Sequence, residues 1–191
     1  MEITKSERPA LLLVDIQKGF EDIAYWGGQR NNPGAEARMS ELLNIWRENS
    51  LPIFHAQHCS TNPVSPLRET HPGNQFNELV APADGEPIIK KKVNSAFIGT
   101  DLQERLEQAG IKTLVIIGLT TDQCVSTTVR MAGNLGYKTF VVTDATATFN
   151  KKGFDGQNYP AELIHETALA SLHNEFATVV TTGYLIAGLL K

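Results

Sequence analysis

The segment KTLVIIGLTTDQCVSTTVRMAGNLG, residues 112–136, decides how the rest of the chain is interpreted. Its unbroken apolar run Leu114–Ile117 is short and rich in β-branched residues, as in a strand that is buried on both faces. After a polar turn, small and apolar residues recur at the spacing of one helix face, and Gly136 ends this pattern. The segment therefore predicts a buried strand, a polar turn and a helix.

Cys124 lies in the first turn of this predicted helix. A thiol at that position is surrounded by unpaired backbone N–H groups at the positive end of the helix dipole, which favours the thiolate. The same N–H groups could hold an oxyanion that forms on a substrate carbonyl. A cysteine that only fills space in the core is the commoner case, so a nucleophile at this position requires partner groups elsewhere in the chain.

Length and composition limit the possible classes of protein. The chain of 191 residues fits one domain, residues 1–191, with the composition of an ordinary globular protein. The net charge is −4 and the only basic run is Lys90–Lys92, so a nucleic-acid partner is not expected. There is no apolar stretch of membrane-spanning length, no apolar signal-peptide core in residues 1–9, and only two cysteines. We expect a cytoplasmic protein that binds a small molecule and no membrane.

Apolar runs and helical patterns alternate along the chain. Strands are predicted at 10–16, 52–58, 87–90, 114–117, 138–143 and 177–181, and helices at 36–49, 100–110, 160–173 and 184–190 besides the one that carries Cys124. This alternation predicts an α/β fold, a mainly parallel six-stranded sheet with helices on both faces. If the sheet is doubly wound, its order is 3-2-1-4-5-6, and ligands bind where strands 1 and 4 diverge.

A carboxylate and a thiol are expected side by side at that point. Asp15 ends the first predicted strand, and Cys124 follows the fourth. Burying a carboxylate without a role is costly, although an aspartate that only caps the next segment is the simpler alternative. Next to a thiol it could take the proton and later return it to a leaving nitrogen. A cation would stabilise the pair, and the spacing does not choose among Lys90, Lys91 and Lys92.

Other motifs give little support for a bound metal or cofactor. His55 and His58 are three residues apart on a predicted strand, so they point to opposite faces, which is a poor geometry for a metal. The chain has no glycine-rich dinucleotide motif and no P-loop. We therefore expect no metal and no cofactor.

Five motifs, in the right order over about residues 8–182, resemble the isochorismatase-like cysteine hydrolases. They are VDIQKGF, K-x-x-x-SAF, GLTTDQCV, VVTDATATF and HETALASL, which begin at residues 14, 91, 118, 141 and 165. The resemblance implies a three-layer α/β/α sandwich and a catalytic triad of Asp15, Lys91 and Cys124. It also implies a cis peptide before Thr120, an oxyanion hole formed by the N–H groups of Thr120 and Cys124, and a homo-oligomer, either a dimer or a tetramer.

The cysteine favours one chemistry within this family. Attack by a thiolate on a carbonyl implies a hydrolase that cleaves a C–N bond of a small amide, ureido or imide substrate through a thioester and releases ammonia or an amine. Four residues of the motif loops are candidates for the substrate pocket: Gln17, Phe20, Trp26 and Phe97. The long loop 59–85 and the glycine-containing loop 150–158 are expected to determine substrate choice.

Two alternatives stay open on the sequence. The isochorismate-cleaving members that resemble this chain carry glycine in place of Cys124, so a vinyl-ether hydrolase without covalent catalysis is the first alternative. A non-catalytic binding member of the family is the second. Nicotinamidases of the family carry an Asp-x-His metal motif after the second strand. Here Ala56 replaces that aspartate and only His58 matches, which argues against the metal.

Overall fold

A six-stranded sheet forms the centre of the computed structural model, which describes residues 3–189. All of its strand pairs are parallel. The sheet order is β3-β2-β1-β4-β5-β8, and the strands are β1 (Ala10–Val14), β2 (Ile53–His58), β3 (Ile88–Lys91), β4 (Thr113–Leu119), β5 (Lys138–Ala147) and β8 (Thr178–Val180). A separate antiparallel hairpin is formed by β6 (Lys151–Lys152) and β7 (Asn158–Tyr159). The predicted doubly wound order is therefore confirmed, with the last sheet strand being the eighth in the chain.

Helices cover both faces of this sheet. They are α1 (Ile23–Trp26), α2 (Ala35–Glu48), α3 (Leu102–Gln108), α4 (Ser126–Asn134), α5 (Ala161–Leu172) and α6 (Thr182–Leu189). Apolar residues of α2 and α6 belong to one buried cluster, and those of α3, α4 and α5 belong to a second. The predicted three-layer α/β/α sandwich is confirmed. The predicted last helix, 184–190, begins two residues earlier, and its end at Leu190 lies outside the described residues.

The side chains of β4 explain its unbroken apolar run. Val115 and Ile117 belong to the cluster under α2, whereas Leu114 and Ile116 belong to the cluster under α4, and all four are fully buried. Successive strand residues point to opposite faces, so a strand with helices on both sides needs apolar residues at every position. No helix within residues 3–189 is both long and apolar enough to cross a bilayer.

The segment after β4 differs from the predicted single helix. Residues Thr121–Val125 form a π-helical turn, and α4 begins only at Ser126. Cys124 therefore lies in this turn and not in the first turn of α4. The long loop 59–85 contains two short 3₁₀ helices, Pro72–Asn74 and Glu78–Val80.

Gly118 allows β4 to approach β1 closely where the two strands end. Its φ is 127°, and a Cβ built on it would lie 2.0 Å from the carbonyl oxygen of Val14. Val14 is the register partner of Gly118 and directly precedes Asp15. A glycine at 118 thus holds the segment with Asp15 next to the segment with Cys124.

Substitution of Gly118 tests this close approach, with Gly110 as the matched control. Gly110 also has a positive φ, 68°, but a Cβ there would meet nothing within 4 Å. In denaturant unfolding we expect Gly110→Ala to lower the free energy of unfolding by about 1–2 kcal/mol, the cost of the left-handed conformation. Gly118→Ala adds a clash with backbone and should cost at least about 3 kcal/mol or prevent folding. Equal losses in the two variants would contradict the close approach.

Candidate active site

Asp15, Lys91 and Cys124 converge at the carboxyl edge of the sheet from three distant segments. The Nζ atom of Lys91 lies 2.6 Å from Oδ2 of Asp15, and both side chains are completely buried. The sulfur of Cys124, a carboxylate oxygen of Asp15 and a ring nitrogen of His58 all lie within 4.8 Å of one another. The structure therefore brings together all three residues of the implied triad and adds His58 to them.

The strand geometry of β3 selects one lysine from the basic run. Burial alternates along this strand, so that Lys90 is exposed and Lys91 is buried. Lys90 forms an ion pair with Glu69 on the surface, with its Nζ atom 3.0 Å from Oε1. Among Lys90, Lys91 and Lys92, only Lys91 therefore enters the cluster.

The Lys91 ammonium has a partner for each of its three protons. Its Nζ atom bonds to Oδ2 of Asp15, to Nδ1 of His58 at 3.2 Å and to the carbonyl oxygen of Val93 at 3.2 Å. Burial lowers the pKa of His58, which keeps this ring neutral, so Nδ1 accepts the bond and Nε2 carries the proton. Sequence reasoning gave His58 no partner, because the contact depends on how β2 and β3 align.

The Asp15 carboxylate has only one of its two oxygens bonded. Its Oδ1 atom is buried and accepts no hydrogen bond within residues 3–189. An unpaired buried acceptor is costly unless a proton donor reaches it. The cluster thus combines a fully bonded cation with a half-bonded anion, and the open oxygen can take a proton from a neighbour.

The protonation of Cys124 differs from the expectation of a resting thiolate. Burial raises the pKa of this thiol well above its usual value, the charge of Asp15 raises it further, and Lys91 lowers it only in part. Burial and the Asp15 carboxylate therefore oppose the effect that was expected of the helix N-terminus. Both influences favour the protonated thiol, because losing a proton to solvent would place a second anion beside Asp15.

Gln17 fixes the end of β2 and does not line the cavity that opens onto Cys124. Its Oε1 accepts a hydrogen bond from the N–H of His58 at 2.9 Å, and its Nε2 donates to the carbonyl oxygen of His58 at 3.1 Å. The same Nε2 donates to the carbonyl oxygen of Asn74 at 2.8 Å. Gln17 therefore positions the backbone of His58 and ties it to the long loop.

A cavity of about 200 Å³ opens onto Cys124. Phe20 and Trp26 line it, and their rings stack with centroids 4.6 Å apart. Phe97, the remaining pocket candidate, is buried in the core beneath α3 and stacks on Tyr137 at 6.0 Å instead. Ser60 and Asn62 of the lining come from the long loop 59–85, which was expected to determine substrate choice, whereas Tyr25, Asn94 and Gln123 were not predicted. A cavity of about 580 Å³ near the amino ends of β5 and β8 contacts none of the triad.

Thr120 and Cys124 also line the smaller cavity of about 200 Å³. The peptide bond between Leu119 and Thr120 is cis, as the resemblance implies. The carbonyl oxygen of Thr120 accepts hydrogen bonds from the N–H groups of Gln123 and Val125, at 3.1 and 3.2 Å. These bonds close the π-helical turn that presents the thiol to the cavity.

His165 of α5 holds this turn through a hydrogen bond to Thr121. Its Nδ1 lies 2.9 Å from Oγ1 of Thr121, and its Nε2 lies 3.2 Å from Oγ1 of Thr143. Asp122, the next residue of the turn, accepts a hydrogen bond from Thr148 and lies 3.4 Å from Nζ of Lys151. The sequence gave His165 no visible partner, since all these contacts are long-range.

The residues present do not form the metal site of the nicotinamidase pattern. Ala56, at the place of the aspartate, is completely buried in the sheet, and His58 is bonded to Lys91. Asp15, His58 and Cys124 form the only set of three potential ligands within the part of the chain that the structure describes. The ammonium of Lys91 already bonds to two of these three, so the cation that this set holds is the lysine.

The fold and the site define an α/β/α protein with an Asp–Lys–Cys cluster at the switch point of its sheet. The family model of the isochorismatase domain matches residues 9–183, and the chain belongs to the isochorismatase family of hydrolases. The isochorismatase family protein YrdC of Bacillus subtilis is 46% identical over 185 residues, which cover 97% of this chain and 98% of that protein.

Two further comparisons extend this finding. Nicotinamidase 3 of Arabidopsis thaliana is 31% identical, with 97% of this chain and 90% of that protein covered. The crystal structure of a hydrolase of the isochorismatase family from Chromobacterium violaceum superposes with a TM-score of 0.93 at 39% identity. The match covers 98% of this chain and 97% of that one. The family thus includes an amidohydrolase among the relatives of this chain.

His165 makes the stability of the protein depend on pH. Burial lowers the pKa of His165 in the folded protein, against the raising effect of nearby acidic residues. Between that lowered value and about 6.5 in the unfolded chain, the unfolded state binds more protons. The free energy of unfolding should therefore fall as the pH decreases through this window, and His165→Asn should make the fall smaller.

The measurement is denaturant unfolding at about pH 7.5 and about pH 5.5, above and below the pKa of about 6.5 of a histidine in the unfolded chain. Thr167→Asn is the control, because Thr167 is an exposed residue of the same helix and has no titratable group. It should leave the pH-dependent loss unchanged. If the free energy of unfolding of His165→Asn falls between the two pH values as much as that of the original protein, His165 is not responsible for the fall.

Proposed function

We propose that the protein is a cysteine-dependent hydrolase that cleaves a C–N bond of a small amide, ureido or imide substrate. The acyl group passes through a thioester on Cys124, and ammonia or an amine is released. One observation carries this proposal: a buried carboxylate with an open oxygen lies within 4.8 Å of a thiol that faces a cavity.

Acylation begins with proton transfer inside the cluster. Asp15 takes the proton of Cys124, and the thiolate attacks the substrate carbonyl carbon to give a tetrahedral oxyanion. The C–N bond then breaks, and Asp15 returns the proton to the departing nitrogen. The transfer leaves the number of charges in the cluster unchanged, since one anion replaces another beside the Lys91 ammonium.

The remaining groups hold charge and geometry during this step. Lys91 stays bonded to Asp15 and opposes the negative charge that moves between the carboxylate and the sulfur. The backbone N–H groups of Thr120 and Cys124, both at the cavity, are proposed to bind the oxyanion. His58 positions Lys91 through Nδ1.

Deacylation uses the same carboxylate a second time. Asp15 takes a proton from a water molecule, whose oxygen attacks the thioester carbon. The C–S bond breaks, the acid product leaves, and the proton returns to the sulfur. The sum is one amide and one water converted to one acid and one ammonia or amine, with no cofactor consumed.

As the resemblance implies, we propose a cytoplasmic homo-oligomer, either a dimer or a tetramer, of single-domain chains. Phe154 in the β6–β7 hairpin is fully exposed, and Leu163 on α5 is 44% exposed. Apolar side chains on the surface are compatible with contacts between copies.

Asp15→Asn tests whether the carboxylate activates the thiol, and no substrate is needed. The rate of alkylation of Cys124 by iodoacetamide at about pH 7.5 should fall roughly 10²-fold or more, because the proton acceptor is lost. If Asp15 acted only through its charge, which raises the pKa of the thiol, its removal would instead make alkylation faster. Peptide mass spectrometry reads Cys124 and Cys59 in the same sample. Asp84→Asn, at an exposed position, is the matched control and should not alter the rate. An unchanged rate in Asp15→Asn would contradict the role of Asp15 as base.

Acyl transfer to hydroxylamine tests the covalent intermediate. With benzamide, nicotinamide and acetamide as probes, the protein should form hydroxamates and release ammonia. Cys124→Ala should lower the rates of both by roughly 10³-fold or more. Cys59→Ser should keep the activity, because Cys59 is not part of the cluster. Pyruvate release from isochorismate that survives Cys124→Ala would support the vinyl-ether hydrolase. Turnover of neither class would support a non-catalytic member.

A further inference from the structure

We propose that the substrate of this site is uncharged and planar: a small neutral carboxamide or ureide whose flat acyl group lies against the Phe20–Trp26 stack. The inference rests on the proposed function, because acyl transfer to Cys124 defines which end of the substrate reacts. It deepens that function by stating what the rest of the substrate must be.

The cavity offers no counterion to an anionic substrate. Within the described residues, its lining contains no lysine and no arginine. The Lys91 ammonium beneath it is fully bonded and paired with Asp15, and His58 is neutral. A substrate carboxylate would have to leave water without a partner and lie near the charge that moves between Asp15 and Cys124, which is costly.

Arg68, next to the lining residue Leu67, donates to the carbonyl oxygen of Pro63 and does not itself line the cavity. Three other cations in neighbouring segments are paired with acidic side chains. Lys18 lies 2.8 Å from Glu78, and Arg30 lies 2.7 Å from Glu36. Lys151, in the hairpin beside the nucleophile turn, faces Asp122 at 3.4 Å. To bind a substrate anion, each of these side chains would have to give up its present acidic partner.

The aromatic wall has a fixed, flat face. Trp26 stacks on Phe20, and Phe149 lies behind both rings, with centroids 6.1 and 6.2 Å away and interplanar angles of 27° and 14°. The indole N–H of Trp26 donates to the carbonyl oxygen of Gly19 at 2.8 Å, so its polar group is already bonded. What remains for a ligand is the ring faces, which favour a stacked planar group.

The cavity is small, and the polar side chains at its rim are uncharged. Its volume of about 200 Å³ lies below the range of roughly 300–1,000 Å³ that accommodates drug-sized ligands. The polar side chains at the rim are hydroxyl and amide groups of Ser60, Asn62, Asn94 and Gln123. Such groups can bond an uncharged polar substituent, but they bring no countercharge for an ionised one.

Two alkylating probes of nearly equal size test the charge preference. Iodoacetamide is neutral and iodoacetate is anionic, and both modify the same sulfur. The ratio of their rates at Cys124 should exceed the ratio for glutathione at least 10-fold. Asn94→Arg, which adds a cation at the rim, should lower the ratio about 10-fold, whereas the uncharged control Asn94→Gln should leave it unchanged. A ratio equal to that of glutathione would overturn the inference.

A second pair of probes tests the planar preference. Benzamide and cyclohexanecarboxamide carry the same amide on a flat and a puckered ring of equal carbon number. Benzamide should protect Cys124 from iodoacetamide at a concentration at least 5-fold lower, and Trp26→Leu should remove that difference while Trp26→Phe retains it. Equal protection by both amides in the original protein would overturn the inference that the site prefers a planar acyl group.

The outcomes separate this inference from the proposed function. If Cys124 reacts in an Asp15-dependent way but shows no preference for neutral or planar probes, only the substrate class is wrong. If Cys124 in the folded protein reacts with neither alkylating agent, the nucleophile itself is wrong and the substrate class falls with it.

Discussion

The ion pair between Lys91 and Asp15 is the constraint on which the site depends. Two opposite charges lie 2.6 Å apart with no exposure to solvent, on strands that are separated by β2 in the sheet. The attraction within such a pair offsets the cost of its desolvation best when the remaining donors and acceptors are satisfied, and within the described residues only one carboxylate oxygen stays open here. His58 and Val93 satisfy the remaining protons of the ammonium. The arrangement therefore requires the ends of three strands, β1, β2 and β3, to be held in one alignment.

The asymmetry of this pair gives the site its proposed chemistry. The cation is fully bonded, so it stays in place, whereas the carboxylate keeps one open oxygen next to the thiol. A thiol in these surroundings resists ionisation into solvent, yet it can pass its proton to Asp15 without changing the total charge. Reactivity then depends on the carboxylate and on an approaching electrophile, and not on a thiolate kept at rest.

Much of the fold and the cluster could be predicted from local signals. Apolar runs at every strand position indicated a sheet covered on both faces, and the switch point placed Asp15 beside Cys124. The choice of Lys91 came from the motif, and the structure supplies its physical reason: burial alternates along β3, so neighbouring lysines face opposite sides.

Other features could not be predicted because they depend on distant segments. His165 meets Thr121 across 44 residues, and Gln17 meets His58 across 41. No spacing pattern in the sequence predicts such pairs. Gln17 was therefore expected in the pocket, although its side chain bonds the backbone of His58. The π-helical turn depends likewise on contacts of Thr121 and Asp122 with α5, β5 and the following residues. Cys124 lies in this turn before α4, and burial and Asp15 raise its pKa.

The protonation state of Cys124 is the most direct test of the central claim. Infrared spectroscopy detects the S–H stretch of a thiol and not of a thiolate, and the Cys59→Ser protein leaves Cys124 as the one cysteine of the chain. The proposed mechanism predicts an S–H band at neutral pH that disappears on further substitution of Cys124 by serine. A folded Cys59→Ser protein without an S–H band at neutral pH would hold a resting thiolate, and the proposed role of Asp15 as its base would be contradicted.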